Sequence, residues 1–454
     1  MSSSEKTLAD DKDRSTSHSS IISKYPSASI SSCDRSSTIQ QREKQNEQEE
    51  EYEGWHSRGW LTVLGSFLII FCLASINSNW GVFEVLYLEV YPEVDPSIQG
   101  FTGPLASGVS FLMGPISVGF VQWAQSYRWP CIIATFICPT SLILASFSTQ
   151  FYHVMLSQAI LFNIGSGFVY LIASVLPAQW FSRNRSLASC CAASGACIGP
   201  LVMAPIIQAM IDSPLGYRNT LRVLGAIIFV LLATSTVLIR PASSDIKHNP
   251  NWYKLIDPEL ANIRYILLTI GIVLTCLAFY PSYMLVPVYA QHIGASATLG
   301  SGLVSVMFAT NAISRIGIGY VADRLGVMNT LFATTLLCGI WNMVIWQLSY
   351  EVGVYVLYLI LFGITGGVFF GLIPSCVAQV ANPQLIQKGV SLIYLLVPIG
   401  IFPSGLIAGA LFSNYSWTVA IQFLGSVFVL ASIVILIVRL LVSNKPPSKS
   451  TSSK

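Results

Sequence analysis

Residues 301–324 read SGLVSVMFATNAISRIGIGYVADR, and this stretch is the most informative in the chain. It is apolar enough to cross a bilayer, yet Arg315 lies well inside it. A guanidinium at bilayer depth costs several kcal/mol, so it normally faces a cavity and meets an anion. No other apolar stretch offers an obvious buried acid to neutralise it. The pattern therefore favours a membrane protein whose buried positive charge binds a negatively charged ligand.

The composition excludes a soluble enzyme. Of 454 residues, 53% are hydrophobic and 10% are charged, whereas a soluble domain carries roughly 25% charged residues. The formal net charge of +3 is too small to indicate a nucleic-acid partner. The ten cysteines fall mostly in apolar stretches, which indicates small buried side chains and no disulfide framework. No metal-ligand cluster, catalytic pattern or phosphate-binding loop is present, so we expect no metal, cofactor or enzymatic activity.

Twelve apolar stretches follow one another, each close to the roughly 20 residues that a helix needs to cross a bilayer. Only helices or closed barrels satisfy their backbone in lipid, and these stretches lack the alternation of a barrel. The sequence thus predicts an all-α membrane protein with twelve transmembrane helices. We place them near residues 59–84, 98–121, 129–148, 154–178, 187–211, 218–239, 263–289, 299–321, 328–348, 354–379, 389–412 and 416–440.

Polar segments divide the chain. Residues 1–57 are rich in serine and charge, which predicts a disordered cytoplasmic tail. The polar segment 241–262 is predicted to be a cytoplasmic loop between two six-helix bundles, residues 58–240 and 263–440. Residues 441–454 form a predicted cytoplasmic tail. Lysine and arginine concentrate on the side of the membrane that holds both tails. We therefore expect an integral multi-pass protein whose two termini lie in the cytoplasm. The plasma membrane is the expected location, with a vacuolar or other internal membrane as the alternative.

An internal repeat supports the two bundles. A shift of 200 residues aligns GFVQW at 119–123 with GYVAD at 319–323, and IGSG at 164–167 with ITGG at 364–367. Stretch 2 thus matches stretch 8, and stretch 4 matches stretch 10. Parallel repeats of six helices related by a pseudo-twofold axis are a known architecture of secondary transporters.

Five passages carry a family resemblance: residues 58–67, 76–83, 179–188, 311–326 and 400–409. With them the chain resembles the major facilitator superfamily, and within it the fungal monocarboxylate-transporter-like (monocarboxylate porter) proteins. The resemblance implies the major facilitator fold and transport of an organic anion or small metabolite. Animal members carry a lysine in the first span, where the nearest position here is Ser78. They also carry an aspartate one turn before the arginine, where this chain has Asn311, so lactate–proton symport does not carry over.

Arg315 is the main candidate for binding cargo, because its planar guanidinium can hold a carboxylate with two charge-assisted bonds. The alternative is a side chain that snorkels to the headgroups. Asn311 lies one turn away on the same helix face and could position a second cargo oxygen. Asp323 and Arg324 resemble the superfamily's inner-loop motif, which implies a conformational latch; a solvated loop is the alternative. The matching positions of the first half hold Trp123 and Ala124, so only one half should carry the latch.

Other polar groups in the apolar stretches are weaker candidates, each with plain packing or interfacial placement as its alternative. Glu84 is the candidate for proton or cation coupling, and facilitated diffusion is the alternative to coupling. Glycines four residues apart in stretches 5 and 10 predict close helix packing. The remaining cavity-lining candidates are Asn77, Asn79, Asn163, Tyr170, Tyr280 and Tyr283, the last two flanking Pro281.

The sequence therefore predicts a secondary-active or facilitative transporter of a small, monocarboxylate-like organic anion. Its partners would be that anion or metabolite, the lipid bilayer and, with coupling, protons. Efflux of a secondary metabolite is one alternative. A non-transporting nutrient sensor with the same fold is another.

Overall fold

The computed structural model describes residues 58–181, 183–241, 260–382 and 385–443. The predicted tail 1–57, residues 242–259 of the predicted loop and residues 444–454 lie outside this part. The described residues form helices joined by turns and short connections, with no strand among them. The expected all-α architecture is thus confirmed.

Twelve helical segments of the described chain are long and apolar enough to cross a membrane, which confirms the predicted number. Their limits differ from the predicted ones by a few residues in most cases. The segments, numbered span 1 to span 12, are Arg58–Val90, Phe101–Ala124, Arg128–Ser146, Phe151–Trp180, Arg185–Asp212, Gly216–Leu238, Ile263–Met284, Gly302–Leu325, Val327–Trp346, Val352–Val380, Ile386–Asn414 and Trp417–Val442.

Several spans are built from more than one helix. Within the described residues, span 1 is interrupted between Asn77 and Trp80, span 5 at Ser194, and span 10 between Thr365 and Phe369. The component α-helices are Arg58–Asn77, Trp80–Val90, Pro96–Ala124, Arg128–Ser146, Phe151–Val154, Phe162–Trp180, Arg185–Ala193, Gly195–Asp212, Gly216–Leu238, Ile263–Met284, Val286–His292, Ala297–Leu325, Val327–Ile340, Val352–Thr365, Phe369–Val380, Ile386–Asn414 and Trp417–Ser443, with π-helical turns at Met155–Leu161 and Trp341–Trp346.

Three apolar clusters hold the spans together. One draws its buried members from residues 63–239 and a second from residues 278–428. The third joins residues of spans 2, 4 and 5, such as Phe111, Leu171 and Cys190, to spans of the second half. Each set of six spans therefore has a core of its own, and a shared core joins the two sets. The bundle limits 58–240 and 263–440 remain predictions.

Glycines bring helices into backbone contact at the predicted places. A Cβ on Gly195 or Gly199 would lie 2.5 Å from the carbonyl oxygen of Phe67 or Phe71 in span 1. A Cβ on Gly371 would lie 2.7 Å from Sγ of Cys190. Because lipid tails are as apolar as the side chains, such close packing is a main source of helix association in membranes.

Candidate functional site

Arg315 lies at the contact between the two sets of spans. Its side chain is 4% exposed. Nη1 donates to the carbonyl oxygen of Ala193 in span 5 at 2.6 Å, and Nε donates to Oδ1 of Asn311 at 2.8 Å. The guanidinium therefore points into the protein and does not snorkel to the headgroups. Both of these bonds end on neutral oxygens.

Asn311 connects Arg315 to the break in span 10. Its amide nitrogen donates to the carbonyl oxygens of Gly363, at 2.9 Å, and of Gly366. Its oxygen accepts from Arg315 and from the thiol of Cys197, 2.9 Å away. The last carbonyls of a helix lack intrahelical partners, and the helix before the break ends at Thr365. The Asn311 amide supplies the missing donors.

Gly367 allows the chain to turn beside the guanidinium. Its φ is +74°, a conformation that favours glycine. A Cβ at this position would lie 3.0 Å from Nη2 of Arg315 and 3.1 Å from Nδ2 of Asn311. Conformation and space therefore both require glycine here, which distinguishes Gly367 from an ordinary packing glycine.

A small cavity adjoins Arg315. Its volume is about 10 Å³, room for roughly one water molecule. The Ser189 hydroxyl beside it is buried and has no hydrogen-bond partner. The cavity is enclosed by spans 1, 4, 5, 8 and 10, through Ile70, Tyr170, Ser174, Ser189, Ala193, Ala196, Arg315, Phe370 and Gly371.

Aromatic rings form one side of this region. Tyr170, a predicted candidate, lines the cavity, and its ring centroid lies 5.8 Å from that of Phe111 and 5.5 Å from that of Tyr394. The side chain of Tyr394 in span 11 is buried beside Tyr170. Sequence reasoning missed Tyr394; the available signal was a tyrosine in an apolar span, which usually needs a polar partner.

The three predicted asparagines of spans 1 and 4 bond within the protein. Nδ2 of Asn77 donates to Oδ1 of Asn163 at 2.9 Å, and Asn163 donates to the Ala159 carbonyl. Asn79 lies at the break in span 1 and donates to the Ser75 carbonyl at 2.9 Å. None of the three asparagines is among the residues that enclose the cavity. The bond between Asn77 and Asn163 joins spans 1 and 4, one of the two roles expected of buried amides in membranes.

Tyr280, Tyr283 and Glu84 are likewise not among the residues that enclose the cavity beside Arg315. The Tyr283 hydroxyl lies 3.5 Å from the Ser78 carbonyl at the break in span 1, and Tyr280 packs edge-on against Phe279. The helix of span 7 continues through Pro281 and ends at Met284. Glu84 is partly buried in the second helix of span 1.

Asp323 contacts the start of span 5. Its two carboxylate oxygens accept from the backbone N–H groups of Ser186, at 2.9 Å, and Leu187, at 2.8 Å. These groups belong to the first turn of helix Arg185–Ala193, where an acid is stabilised by free N–H donors and by the helix dipole. Arg324 instead lies over the ring of Tyr320 in its own helix, with Cζ 4.6 Å from the centroid. Among the described residues, the contact between spans is therefore the one that Asp323 makes.

Comparison with known proteins agrees with this architecture. The model of the Major Facilitator Superfamily matches residues 59–402 and 268–454. The chain is 27% identical to the MFS-type transporter pynF of Aspergillus niger, over 84% of this chain and 88% of that protein. It is 27% identical to the agnestins efflux protein AgnL12 of Paecilomyces divaricatus, with the same two coverages. The fujikurins efflux protein of Gibberella fujikuroi is 25% identical, over 85% of this chain and 83% of that protein.

A solved structure shows the same fold. The human organic anion transporter MFSD10 (TETRAN) superposes with a TM-score of 0.66 at 14% identity, covering 83% of this chain and 98% of that one. Because the family model matches more than half of the residues, the chain belongs to the major facilitator superfamily and is an integral multi-pass membrane transporter.

Proposed function

We propose that this transporter exports an acidic secondary metabolite by alternating access. The observation that supports the proposal is the Arg315 guanidinium, which is buried between the two sets of spans and bonded to neutral oxygens. An uncompensated charge in a membrane interior is costly. A carboxylate or similarly acidic cargo group supplies the missing charge and matches the planar fork of arginine.

The surroundings of Arg315 favour a cargo with an aromatic or conjugated body. Tyr170 and Phe370 enclose the cavity, and Tyr394 packs against Tyr170. Such rings stack on flat apolar surfaces. The unpartnered hydroxyl of Ser189 offers a donor for a second oxygen of the acidic group.

Alternating access requires the two ends of the molecule to open in turn. We assign the contact of Asp323 with span 5 as the closing latch of one end, called the latch end below. The positive-inside pattern predicts that this end, and both termini, lie in the cytoplasm. The contact of Tyr283 with Ser78, near the break in span 1, is the counterpart of this latch for the other end. The one-water cavity fits a closed form that must open before cargo enters.

The direction of transport is proposed from the relatives. Two of them are named efflux proteins, for agnestins and for fujikurins. Export of a metabolite from the cell places this transporter in the plasma membrane. Uptake of a monocarboxylate is the second candidate, favoured by the resemblance of residues 58–67 and 311–326 to the monocarboxylate-transporter-like proteins.

Transport by purified protein in liposomes tests the proposal. Radiolabelled salicylate and lactate serve as aromatic and aliphatic acids, and neutral salicylamide is the matched control. Relative to protein-free liposomes, we expect the protein to add saturable transport of salicylate and no transport of salicylamide. Equal transport of both, or transport of no acid, would overturn the proposal.

Repeating the assay with a pH gradient separates proton coupling, for which Glu84 is the candidate, from facilitated diffusion. A nutrient sensor would bind its ligand without moving it.

A further inference from the structure

We infer that Asn311 acts through Arg315 as a positioning residue and does not bind cargo itself. In this role Asn311 connects the guanidinium to the break in span 10. The inference rests on the proposed function in one respect, namely that Arg315 is the group that contacts the cargo. From its place one helical turn before Arg315, Asn311 was expected to contact a cargo oxygen. The inference replaces that role with the positioning of Arg315.

The hydrogen-bonding capacity of Asn311 is fully used. An asparagine side chain has two N–H donors and one oxygen with two lone pairs. Both donors are directed at carbonyl oxygens of span 10, those of Gly363 and Gly366. The oxygen accepts from Nε of Arg315 and from the Cys197 thiol. With the residue 6% exposed, no group of Asn311 is left to contact a cargo molecule.

The bond to Nε fixes the plane of the guanidinium. With Nε directed at Asn311 and Nη1 at the Ala193 carbonyl, the group cannot rotate without losing a bond. Ala193 itself encloses the cavity. An acidic cargo that takes over Nη1 therefore displaces a neutral carbonyl, while Asn311 still holds Nε. Positioning of this kind lowers the entropic cost of binding.

The same amide transmits a displacement of Arg315 to span 10. Asn311 holds Gly363 and Gly366, which lie just before Gly367 and its left-handed backbone. A cargo that draws Arg315 toward it pulls on the residue that completes this break. An amide fits the position better than a carboxylate, because an aspartate would direct an oxygen at the Gly366 carbonyl and supply no donor to it.

A double-mutant cycle tests the role, with salicylate transport in liposomes as the readout. In the native background, Asn311→Ala should raise the KM for salicylate about tenfold, the effect of losing one hydrogen bond to a charged group. In the Arg315→Lys background, the same change should have an effect of less than about twofold, because lysine has no fork for Asn311 to orient. An equal rise in KM in both backgrounds would show direct cargo contact and overturn the inference.

Ser314→Ala is the matched control. The Ser314 hydroxyl also donates to the Gly363 carbonyl, at 3.2 Å, yet no bond joins it to Arg315 among the contacts of the described residues. We expect its KM to stay within about twofold of the native value. A tenfold rise for Ser314→Ala would instead attribute the effect to the span 10 carbonyl alone.

A second cycle separates this inference from the proposed function. Thermal unfolding of Asn311→Ala, Arg315→Ala and the double variant in detergent requires no cargo. We expect the double variant to lose clearly less stability than the sum of the single losses, since the two residues share a bond. If the native protein moves no acid, the proposed function fails, and this unfolding cycle alone decides whether Asn311 holds Arg315. Additive losses would overturn the inference.

Discussion

Arg315 and Asp323 of span 8 contact opposite ends of one nine-residue helix, Arg185–Ala193 in span 5. The carboxylate lies at the N-terminus of that helix and the guanidinium at its last carbonyl. Each charge has the sign that the helix dipole stabilises. Eight residues separate the two side chains, about 12 Å of helix rise, which matches the length of the helix they hold. The proposed cargo site and the proposed latch are therefore connected through one short helix.

Removal of the Arg315 charge should abolish transport. We expect Arg315→Ala to reduce salicylate efflux from preloaded cells to background at unchanged surface expression, and Arg315→Lys to restore only part of it, because lysine lacks the planar fork. Initial efflux rates from cells with quantified surface protein provide the measurement. Arg264→Ala, at the start of span 7, is the control for loss of a positive charge. Full efflux with Arg315→Ala would contradict the cargo-binding role.

Neutralising Asp323 should loosen the latch end. Asp323→Asn removes the charge at the start of helix Arg185–Ala193 and weakens a cap that contributes about 1 kcal/mol, which corresponds to roughly a fivefold change in the open fraction. The labelling rate of a cysteine introduced at Ser174 reports opening toward the cavity. Asp212→Asn is the control, since Asp212 accepts from Gln208 of its own helix. An unchanged labelling rate would contradict the latch.

Span 8 should tolerate no side chain at Gly319. A Cβ there would lie 2.7 Å from Cβ of Cys190 and 3.1 Å from Cα of Leu187, midway between the contacts of Arg315 and Asp323. We expect Gly319→Ala to reduce stability by about 1–3 kcal/mol, as overpacking does, visible as a lower melting temperature in detergent. Gly317→Ala is the control, because nothing lies within 4 Å of its Cβ position. Equal melting temperatures for the two variants would refute the close contact.

The break in span 10 should depend on glycine at position 367. In Gly367→Ala the alanine must adopt a left-handed conformation, which costs about 1–2 kcal/mol. Its methyl group would also lie 3.0 Å from Nη2 of Arg315. We expect salicylate efflux from preloaded cells to fall at least about tenfold at normal expression. Gly353→Ala in the same span is the control, since its Cβ position is open. Wild-type efflux with Gly367→Ala would show that the turn does not constrain the site.

The fold was predictable because lipid leaves the backbone few choices. Long apolar stretches without alternation must be helices, so the twelve spans followed from composition and length. Arg315 stood out from sequence because charge is rare at bilayer depth. Asp323 stood out because its passage resembles the superfamily's inner-loop motif.

The partners of Arg315 were not predictable in the same way. Every residue carries a carbonyl, so the sequence does not reveal that a break at Ser194 turns the Ala193 oxygen into an acceptor for Arg315. The spacing of Gly363, Gly367 and Gly371 predicted one packing face, yet Gly367 lies in a left-handed turn between two helices. The amides of Asn77 and Asn163 were equally suited to lining a cavity or to bonding each other, and the sequence did not reveal the bond that joins them.

The tightness of the space beside Arg315 has a consequence for selectivity among anions. A site that closes to the volume of a single water leaves an occluded ion little room for its hydration shell. The energy of dehydration is highest for compact ions with localised charge and lower where charge spreads over a conjugated system. We therefore expect phenolates, enolates and aryl carboxylates to outcompete acetate or chloride, in an order that follows their hydration energies.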